Sequence, residues 1–323
     1  DPLMPNQLEQ LKAFSAIAVE TADAQVIDVS SNVVISTNAI VNVVKQQNSL
    51  MTEAISEAKK HHWSSYTPNP KPVVLLLTVN LLKKILPKTS GHIFIELDIA
   101  LAFDTEGLIN QARELHDLCR NHRLDASRVA LTIPATWPGI EAARRLQRDR
   151  INTHLSMVYS FIQAQAAGDA AAFALSMPVD AATRWYKNNE PADYYESNDP
   201  GVQILSHIHN NLKCLGYNTK IMASGFDNLN QLRALAGCDY ISLTPEQLHQ
   251  LSQDQTALER KLDKATEIYE RPPEVTEKDF HWYLTSSAMA YNQLGNDIRK
   301  LANEQRELED LVKQTIEAEE YVS

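Results

Sequence analysis

Glycine is scarce in this sequence, at 9 of 323 residues, and no glycine-rich loop of the kind that cradles phosphate in Rossmann or P-loop proteins occurs. No apolar run approaches the roughly 20 residues of a membrane-spanning helix. The N-terminal segment lacks the basic-then-apolar layout of a secretion signal. Cys119, Cys214 and Cys238 lie far apart without metal-type spacing, so we expect reduced, buried thiols. These absences predict a cytoplasmic protein without a membrane partner.

Basic residues are outnumbered, because 30 Lys and Arg stand against 41 Asp and Glu, for a formal net charge of -11. Nucleic acids and anionic membranes are bound by clustered Lys and Arg, so this balance argues against a nucleic-acid partner. A hydrophobic fraction of 44% with 22% charged residues is typical of a globular protein. Nothing in the composition divides the chain, and we predict one domain over residues 1–323.

Short β-type runs alternate with longer amphipathic segments along nearly the whole chain, a pattern that predicts βα units and a parallel sheet. Eight strands, each followed by a helix, are the number that closes a (β/α)8 or TIM barrel. The predicted fold class is therefore α/β, with this barrel as its architecture. The predicted strands cover residues 16–20, 33–37, 93–97, 129–133, 154–158, 172–176, 220–223 and 240–243.

Three helices of the barrel are marked by their ends as well as by their periodicity. Residues 105–120 carry one apolar face at helical spacing. A second helix begins near Thr136, which is a good capping residue, with Pro138 in the first turn. A third covers residues 200–215 and ends at Gly216, a natural helix stop.

The chain exceeds the roughly 250 residues of a usual TIM barrel, so we expect extra helices at 40–61, at 79–86 and in a C-terminal helix over 282–322. The proline-rich or polar segments 64–72 and 188–200 are predicted as loops of the barrel. One apolar stripe along the C-terminal helix predicts packing on the barrel, with a coiled coil as the alternative. The stripe contains Leu294, Ile298, Leu301, Leu308, Leu311, Val312 and Ile316.

Residues 128–140, Arg-Val-Ala-Leu-Thr-Ile-Pro-Ala-Thr-Trp-Pro-Gly-Ile, resemble the fourth-strand motif of the transaldolase family, Arg-Val-Leu-Ile-Lys-Ile-Pro-Ala-Thr-Trp-Glu-Gly-Ile. Other segments resemble further landmarks of that family in the same order along the chain. The resemblance covers almost the whole chain and implies the transaldolase barrel. The other similar segments are 36–39, 96–98, 103–104, 153–161, 199–202, 234–239 and 243–245.

The resemblance also implies that the family's chemistry is absent. Transaldolases move a dihydroxyacetone unit between sugar phosphates through a Schiff base on a fourth-strand lysine. That position is Thr132 here, and threonine has no amine. Two phosphate-binding arginine positions fall on Ala181 and Asp227, with Asp180 adding a carboxylate beside them. Because carboxylates repel a phosphate dianion, sugar phosphates are not the predicted substrates.

Polar residues nevertheless occupy other positions of the family's pocket. Glu20 falls on a first-strand aspartate, Asn38 and Glu96 match pocket residues directly, and His154 replaces an asparagine. We predict Glu20, Glu96 and His154 as the proton-transfer residues, since close carboxylates split their pKa values and histidine titrates near neutrality. The predicted substrate-binding residues are Asn38, Thr132, Ser156, Ser176, Asp180, Ala181, Trp185 and Asp227.

Other interpretations of these residues stay open. The two carboxylates and the imidazole could also bind a divalent metal, or form a hydrogen-bonded network without turnover. We predict no cofactor and no metal. Lys220 is the one lysine in a predicted strand, but it stands at the strand's start, away from the barrel mouth. His281 and Trp282, at the start of the tail helix, would either close over the mouth or anchor packing.

Four aromatic residues are candidates for an enlarged apolar pocket. Trp185 and Tyr186 follow the sixth strand and are the better candidates, with Tyr159 a further one. Trp137 belongs to the fourth-strand motif and is interpreted as a core residue.

The predicted function is that of a repurposed enzyme working by non-covalent acid–base chemistry. Isomerisation, cyclisation, dehydration and aldol-type lyase chemistry are all compatible, on a non-phosphorylated small organic substrate of specialised metabolism. The alternative is a non-catalytic relative that binds a metabolite or regulates a partner, and a weak residual transaldolase is a third hypothesis. For the oligomeric state, the resemblance is compatible with a monomer or with a homodimer.

Overall fold

Eight parallel strands form a closed barrel in the order in which they occur along the chain. The computed structural model describes residues 4–61 and 69–322. Pairing of the last strand with the first closes the sheet, which confirms the (β/α)8 prediction. Every predicted strand is present, with boundaries that differ by at most two residues. The strands are β1 (Ala16–Glu20), β2 (Asn32–Ile35), β3 (Ile93–Glu96), β4 (Val129–Pro134), β5 (Thr153–Ser156), β6 (Ala174–Pro178), β7 (Lys220–Ser224) and β8 (Tyr240–Leu243).

Helices follow the strands and surround the barrel, as in other folds of this class. Parallel strands enclosed in this way are buried on both faces, and β4 is buried along its whole length. The helices are α1 (Gln7–Lys12), α2 (Thr37–Gln46), α3 (Asn48–His61), α4 (Pro70–Ile85), α5 (Thr105–Asn121), α6 (Trp137–Arg148), α7 (Phe161–Asp169), α8 (Val179–Asn189), α9 (Pro200–Cys214), α10 (Leu229–Arg233), α11 (Pro245–Ser252), α12 (Glu277–Ser286) and α13 (Ala288–Val322).

The helix ends predicted from capping residues are confirmed. The Thr136 hydroxyl accepts a hydrogen bond of 3.0 Å from the Gly139 N–H at the start of α6, with Pro138 in the first turn. Helix α9 ends at Cys214, and Gly216 follows with a φ of 70°, a conformation that glycine adopts without strain.

Two helical segments differ from their predicted extents. The predicted helix 40–61 is two helices, α2 and α3, separated at Gln47, whose backbone is not helical. Helix α4 begins at Pro70, nine residues before the predicted start at 79, because proline is compatible with the first turn of a helix. Residues 70–72 of the predicted loop 64–72 are therefore helical, and 64–68 lie outside the described residues. Of the predicted loop 188–200, residues 188–189 belong to α8 and residue 200 to α9, and the segment between them contains a short 3-10 turn, Glu196–Asn198.

The C-terminal segment 282–322 is two helices rather than one. Ser287 interrupts it with extended backbone, and the Ser287 hydroxyl accepts from the Ala290 N–H, which caps α13. Helix α13 packs on α2, α3, α4 and α8, so the packing prediction is confirmed. Leu294, Leu308, Val312 and Ile316 of the stripe are buried; Ile298, Leu301 and Leu311 are partly buried against the same core.

The lower part of the barrel interior is filled with side chains. Because side chains alternate along a strand, Phe94 and Ala130 lie one layer below Glu96 and Thr132. The Phe94 ring meets the Tyr240 ring edge-on, with centroids 5.4 Å apart. This apolar layer confines the open space within the barrel to the carboxyl ends of the strands. Its buried members are Phe94, Ala130, Ala174, Met222 and Tyr240.

The three cysteines carry free thiols. Cys119 and Cys238 are buried, as predicted, whereas Cys214 is partly exposed at the end of α9 and departs from that prediction. Within residues 4–61 and 69–322, no helix combines the length and the apolar character needed to cross a membrane.

We predict that Leu308→Ala lowers the free energy of unfolding by about 2–5 kcal/mol, because it leaves a cavity under α13. Urea unfolding followed by circular dichroism measures the change. Gln314→Ala, on the exposed face of the same helix, is the control. A loss below about 0.5 kcal/mol for Leu308→Ala would contradict firm packing of α13 on the barrel.

Candidate active site at the barrel mouth

A cavity of about 410 Å³ opens at the carboxyl ends of the strands, between the barrel wall and α13. TIM-barrel enzymes place their chemistry at this end of the barrel. Two of the eleven predicted site residues, Trp185 and Asp227, are not on its wall. The other nine are Glu20, Asn38, Glu96, Thr132, His154, Ser156, Ser176, Asp180 and Ala181.

A buried hydrogen-bonded relay crosses three neighbouring strands at the floor of the cavity. Thr132 on β4 and His154 on β5 are register partners, and the Thr132 hydroxyl lies 2.8 Å from His154 Nδ1. His154 Nε2 lies 2.7 Å from the hydroxyl of Ser176 on β6. Both ring nitrogens are therefore engaged, which fixes the orientation of the imidazole.

Burial removes His154 from the pH range in which histidine ordinarily titrates. The ring is 3% exposed, and desolvation of the charged form lowers the pKa of His154 to about 3. The expectation that this residue titrates near neutrality is therefore wrong. At neutral pH the imidazole is uncharged, and it takes part in the relay as one donor and one acceptor.

Glu96 lies at the end of β3, where it faces the first turn of α2. Its Oε2 accepts hydrogen bonds from the Thr37 N–H at 3.0 Å and from the Thr37 hydroxyl at 2.9 Å. Burial raises the pKa of Glu96, and these two hydrogen bonds oppose the shift only in part. The carboxyl is thus more readily protonated than an exposed glutamate.

Glu20, at the end of β1, accepts a hydrogen bond of 2.9 Å from the Ser242 hydroxyl on β8. Burial is the main cause that raises the pKa of Glu20, and the charge of Asp180 adds to it. The like charge that raises the pKa of Glu96 comes from Glu304. The predicted splitting of pKa values between Glu20 and Glu96 is therefore not the cause of either shift.

Asp180 lies in the first turn of α8, the helix after β6, and is held by backbone contacts. Its Oδ1 accepts from the Ala181 N–H at 2.7 Å, and its own N–H donates to the Gly225 carbonyl at 2.9 Å. A Cβ on Gly225 would stand 2.5 Å from Asp180 Oδ1, so glycine permits this close approach. Arg184 Nη1 lies 3.3 Å from Asp180 and 2.8 Å from Asp227. Asp227 thus reaches the cavity only through Arg184, which lines it.

Helix α13 contributes polar side chains that the sequence-based prediction missed. Asp297 accepts from the hydroxyl of Tyr159, and from Gln293 Nε2 at 2.8 Å. Burial raises the pKa of both Asp297 and Tyr159. Steps of four, three and four residues place these side chains on one helical face beside the apolar stripe, so the sequence groups them without showing what that face meets. The set that lines the cavity is Gln293, Asp297, Lys300 and Glu304.

The aromatic candidates lie outside the cavity wall. Trp185 packs edge-on against Tyr186, with ring centroids 5.1 Å apart, and Tyr186 lines a separate groove. The prediction that Trp185 borders the substrate site is not matched by this placement. Trp137 is partly buried with its ring 5.4 Å from that of Phe280, in agreement with its interpretation as a core residue.

The other candidates for the mouth also lie elsewhere. Lys220 is exposed at the start of β7, as its position in the predicted strand indicated. His281 and Trp282 are exposed on α12 and do not line the cavity, so neither of the two roles considered for them fits. Among the described residues, Lys300 is the lysine that lines this cavity, and no group of side chains suited to a metal ion is found.

We predict that His154 shows no titration between pH 8 and pH 5, because burial keeps its imidazole neutral over that range. Nuclear magnetic resonance of the histidine rings measures this, with His154→Gln assigning the resonance. A midpoint above pH 5 would contradict the buried relay. The folded-state pKa lies below the unfolded value of 6.5, so the stability that His154 contributes above pH 6.5 is lost as the pH falls towards about 3.

Comparison with known proteins agrees with this architecture. The family model for Transaldolase/Fructose-6-phosphate aldolase matches residues 11–312. A transaldolase of Marinomonas sp. (strain MWYL1) is 33% identical over 321 residues, covering 96% of this chain and 99% of the relative. Transaldolases of Shewanella amazonensis and, as transaldolase A, of Pasteurella multocida are each 33% identical with the same coverage. The chain belongs to the transaldolase/fructose-6-phosphate aldolase family.

Proposed function

We propose that this family member does not form the Schiff base of a transaldolase, and that it acts as a non-covalent acid–base enzyme on a non-phosphorylated small organic molecule. The observation that carries the proposal is the Thr132–His154–Ser176 relay. Thr132, at the position that the resemblance assigns to the catalytic lysine, has a hydroxyl bonded to a buried neutral imidazole. A side chain without an amine cannot form an imine.

Lys300 is the alternative source of an amine at this site. Schiff-base lysines are activated by desolvation or by a neighbouring cation, which leaves the amine uncharged. Lys300 is exposed, and its charge opposes in part the rise that burial causes in the pKa values of Glu96, Asp297 and Glu304. Neither kind of activation is met at Lys300, because the side chain is solvent-exposed and the groups on which its charge acts are carboxyls.

The charges beside β6 and β7 support the second part of the proposal, that the substrate carries no phosphate. Arg184 is the guanidinium on the cavity wall, and it already lies between the carboxylates of Asp180 and Asp227. A phosphate dianion at this position would compete with both carboxylates and be repelled by them. Ala181, where the family places one of its arginines, offers no compensating charge.

Glu20 and Glu96 are the groups proposed to move protons. Their pKa values are raised towards neutrality, so each exchanges a proton more readily near physiological pH than an exposed glutamate does. An ionised carboxylate would take a proton from carbon next to a carbonyl, while a protonated carboxyl would donate to the oxygen. The Thr132–His154–Ser176 relay would hold the substrate's oxygen atoms by hydrogen bonds. Isomerisation, cyclisation, dehydration and aldol-type cleavage all use such steps.

A non-catalytic regulator is the second candidate function, and one observation favours it. Trp282, Tyr283 and Tyr291, on α12 and α13, are more than half exposed, which suits contact with a partner. The open cavity with its ionisable lining favours the enzyme, since a regulator has no need of one.

We predict that the purified protein transfers no dihydroxyacetone unit from fructose 6-phosphate to erythrose 4-phosphate, because position 132 carries no amine. Thr132→Lys is expected to gain detectable transfer with a raised KM, since the phosphate-binding positions are still Ala181 and Asp227. A coupled spectrophotometric assay measures both, with a transaldolase as the positive control. Thr132→Met, of similar size and without an amine, is the matched control.

Turnover of the native protein at the rate of a transaldolase would contradict the proposal. Inactivity of both the native protein and Thr132→Lys would instead show that an amine at position 132 is not sufficient, as expected if the changes at Ala181 and Asp227 also prevent the reaction.

We predict that Asp227→Asn strengthens the binding of inorganic phosphate several-fold, because Arg184 loses one of its two carboxylate partners. Isothermal titration at low ionic strength measures the affinity. Glu114→Gln removes an equal charge from the exposed face of α5 and controls for net charge. Equal affinities of the two variants for phosphate would contradict the conclusion that the two carboxylates compete with phosphate for Arg184.

A further inference from the structure

Acidic side chains outnumber basic ones on the lining of the barrel-mouth cavity. The basic residues of the described lining are Arg184 and Lys300. The carboxyl groups of the lining number five and come from Glu20, Glu96, Asp180, Asp297 and Glu304.

Neither cation balances this excess of carboxyl groups. Arg184 is shared between Asp180 and Asp227, a second carboxylate that lies off the cavity wall, so this group of three carries a net negative charge when ionised. Lys300 is one ammonium whose charge acts on Glu96, Asp297 and Glu304 together. The cavity therefore contains fewer positive charges than carboxyl groups.

The carboxyl groups come from two sides of the cavity. Glu20 and Glu96 stand at the ends of β1 and β3, on the barrel wall. Asp297 and Glu304 project from α13, seven residues apart and so on one face of that helix. A molecule in this cavity lies between two acidic surfaces, and its volume of about 410 Å³ suits a small organic compound.

We propose that the ligand of this cavity is an organic cation, a protonated amine or a related nitrogen base, bound between the carboxyl groups of the barrel wall and those of α13. The inference rests on the proposed function and specifies the class of its substrate. An ammonium group donates three hydrogen bonds and accepts none, which matches a lining rich in carboxylate acceptors.

The state of the carboxyl groups supports the same ligand class. Burial is the main cause that raises the pKa of Glu20, Glu96, Asp297 and Glu304, so their charged forms are poorly stabilised in the free protein. A bound cation would supply the missing stabilisation. An anionic ligand would add to the existing repulsion.

Three probes of equal chain length test the charge preference on the full-length protein: 1,4-diaminobutane, 1,4-butanediol and succinate. Isothermal titration at low ionic strength should give an affinity for the diamine at least tenfold above that for the diol, with succinate the weakest. Glu304→Gln and Asp297→Asn should each weaken diamine binding several-fold. Asp310→Asn, exposed on the same helix and absent from the cavity wall, should bind the diamine as the native protein does.

Absence of diamine binding, or an affinity no higher than that for the diol, overturns the inference. So does tighter binding of succinate, or unchanged binding by both Glu304→Gln and Asp297→Asn. Glu304→Gln serves as the second variant because Asp297 also accepts from Tyr159, and its replacement alters packing as well. If these titrations fail and the native protein also transfers no unit between sugar phosphates, the proposed function stands without this ligand class. If the native protein does transfer that unit, the proposed function is refuted, whether or not a cation binds.

Discussion

The carboxyl ends of all eight strands meet at one rim, and α13 lies over that rim, so the ionisable groups between them are withdrawn from water. This desolvation is the main cause that raises the pKa of Glu20, Glu96 and Asp297 and lowers that of His154. Stripe residues such as Leu308, on the same helix, are buried against the barrel. Packing of α13 therefore contributes both to the stability of the fold and to the burial of ionisable groups at the mouth.

Membership of the transaldolase/fructose-6-phosphate aldolase family and the composition of the cavity give two different kinds of information. The family explains the barrel and the position of the site. The residues of the cavity support our proposal. Thr132 lies at the position that the resemblance assigns to the catalytic lysine, and the arginine of the cavity is shared by two carboxylates. In this account a change at a few rim positions replaces covalent chemistry on anionic sugars by proton transfer on a substrate of a different charge.

The strands could be predicted from the sequence to within two residues, because parallel strands buried on both faces give short apolar runs with clear ends. Nine of the eleven predicted site residues line the cavity because they lie within, at the end of or just after those strands. The α13 side chains could not be placed in the same way, since helical spacing gives the face of Asp297 but not what that face meets. Trp185 was misplaced because a helix turns successive side chains through about 100°, and the preceding residue, Arg184, is the one that lines the cavity.

Borohydride trapping followed by intact-protein mass spectrometry shows whether this protein forms a covalent imine with a sugar phosphate. The native protein is incubated with fructose 6-phosphate and sodium borohydride beside a transaldolase as positive control. We expect an unchanged mass for the native protein, because position 132 carries no amine, and a reduced adduct for the control. An adduct on the native protein, mapped to Lys300 or to any other lysine, would contradict this expectation.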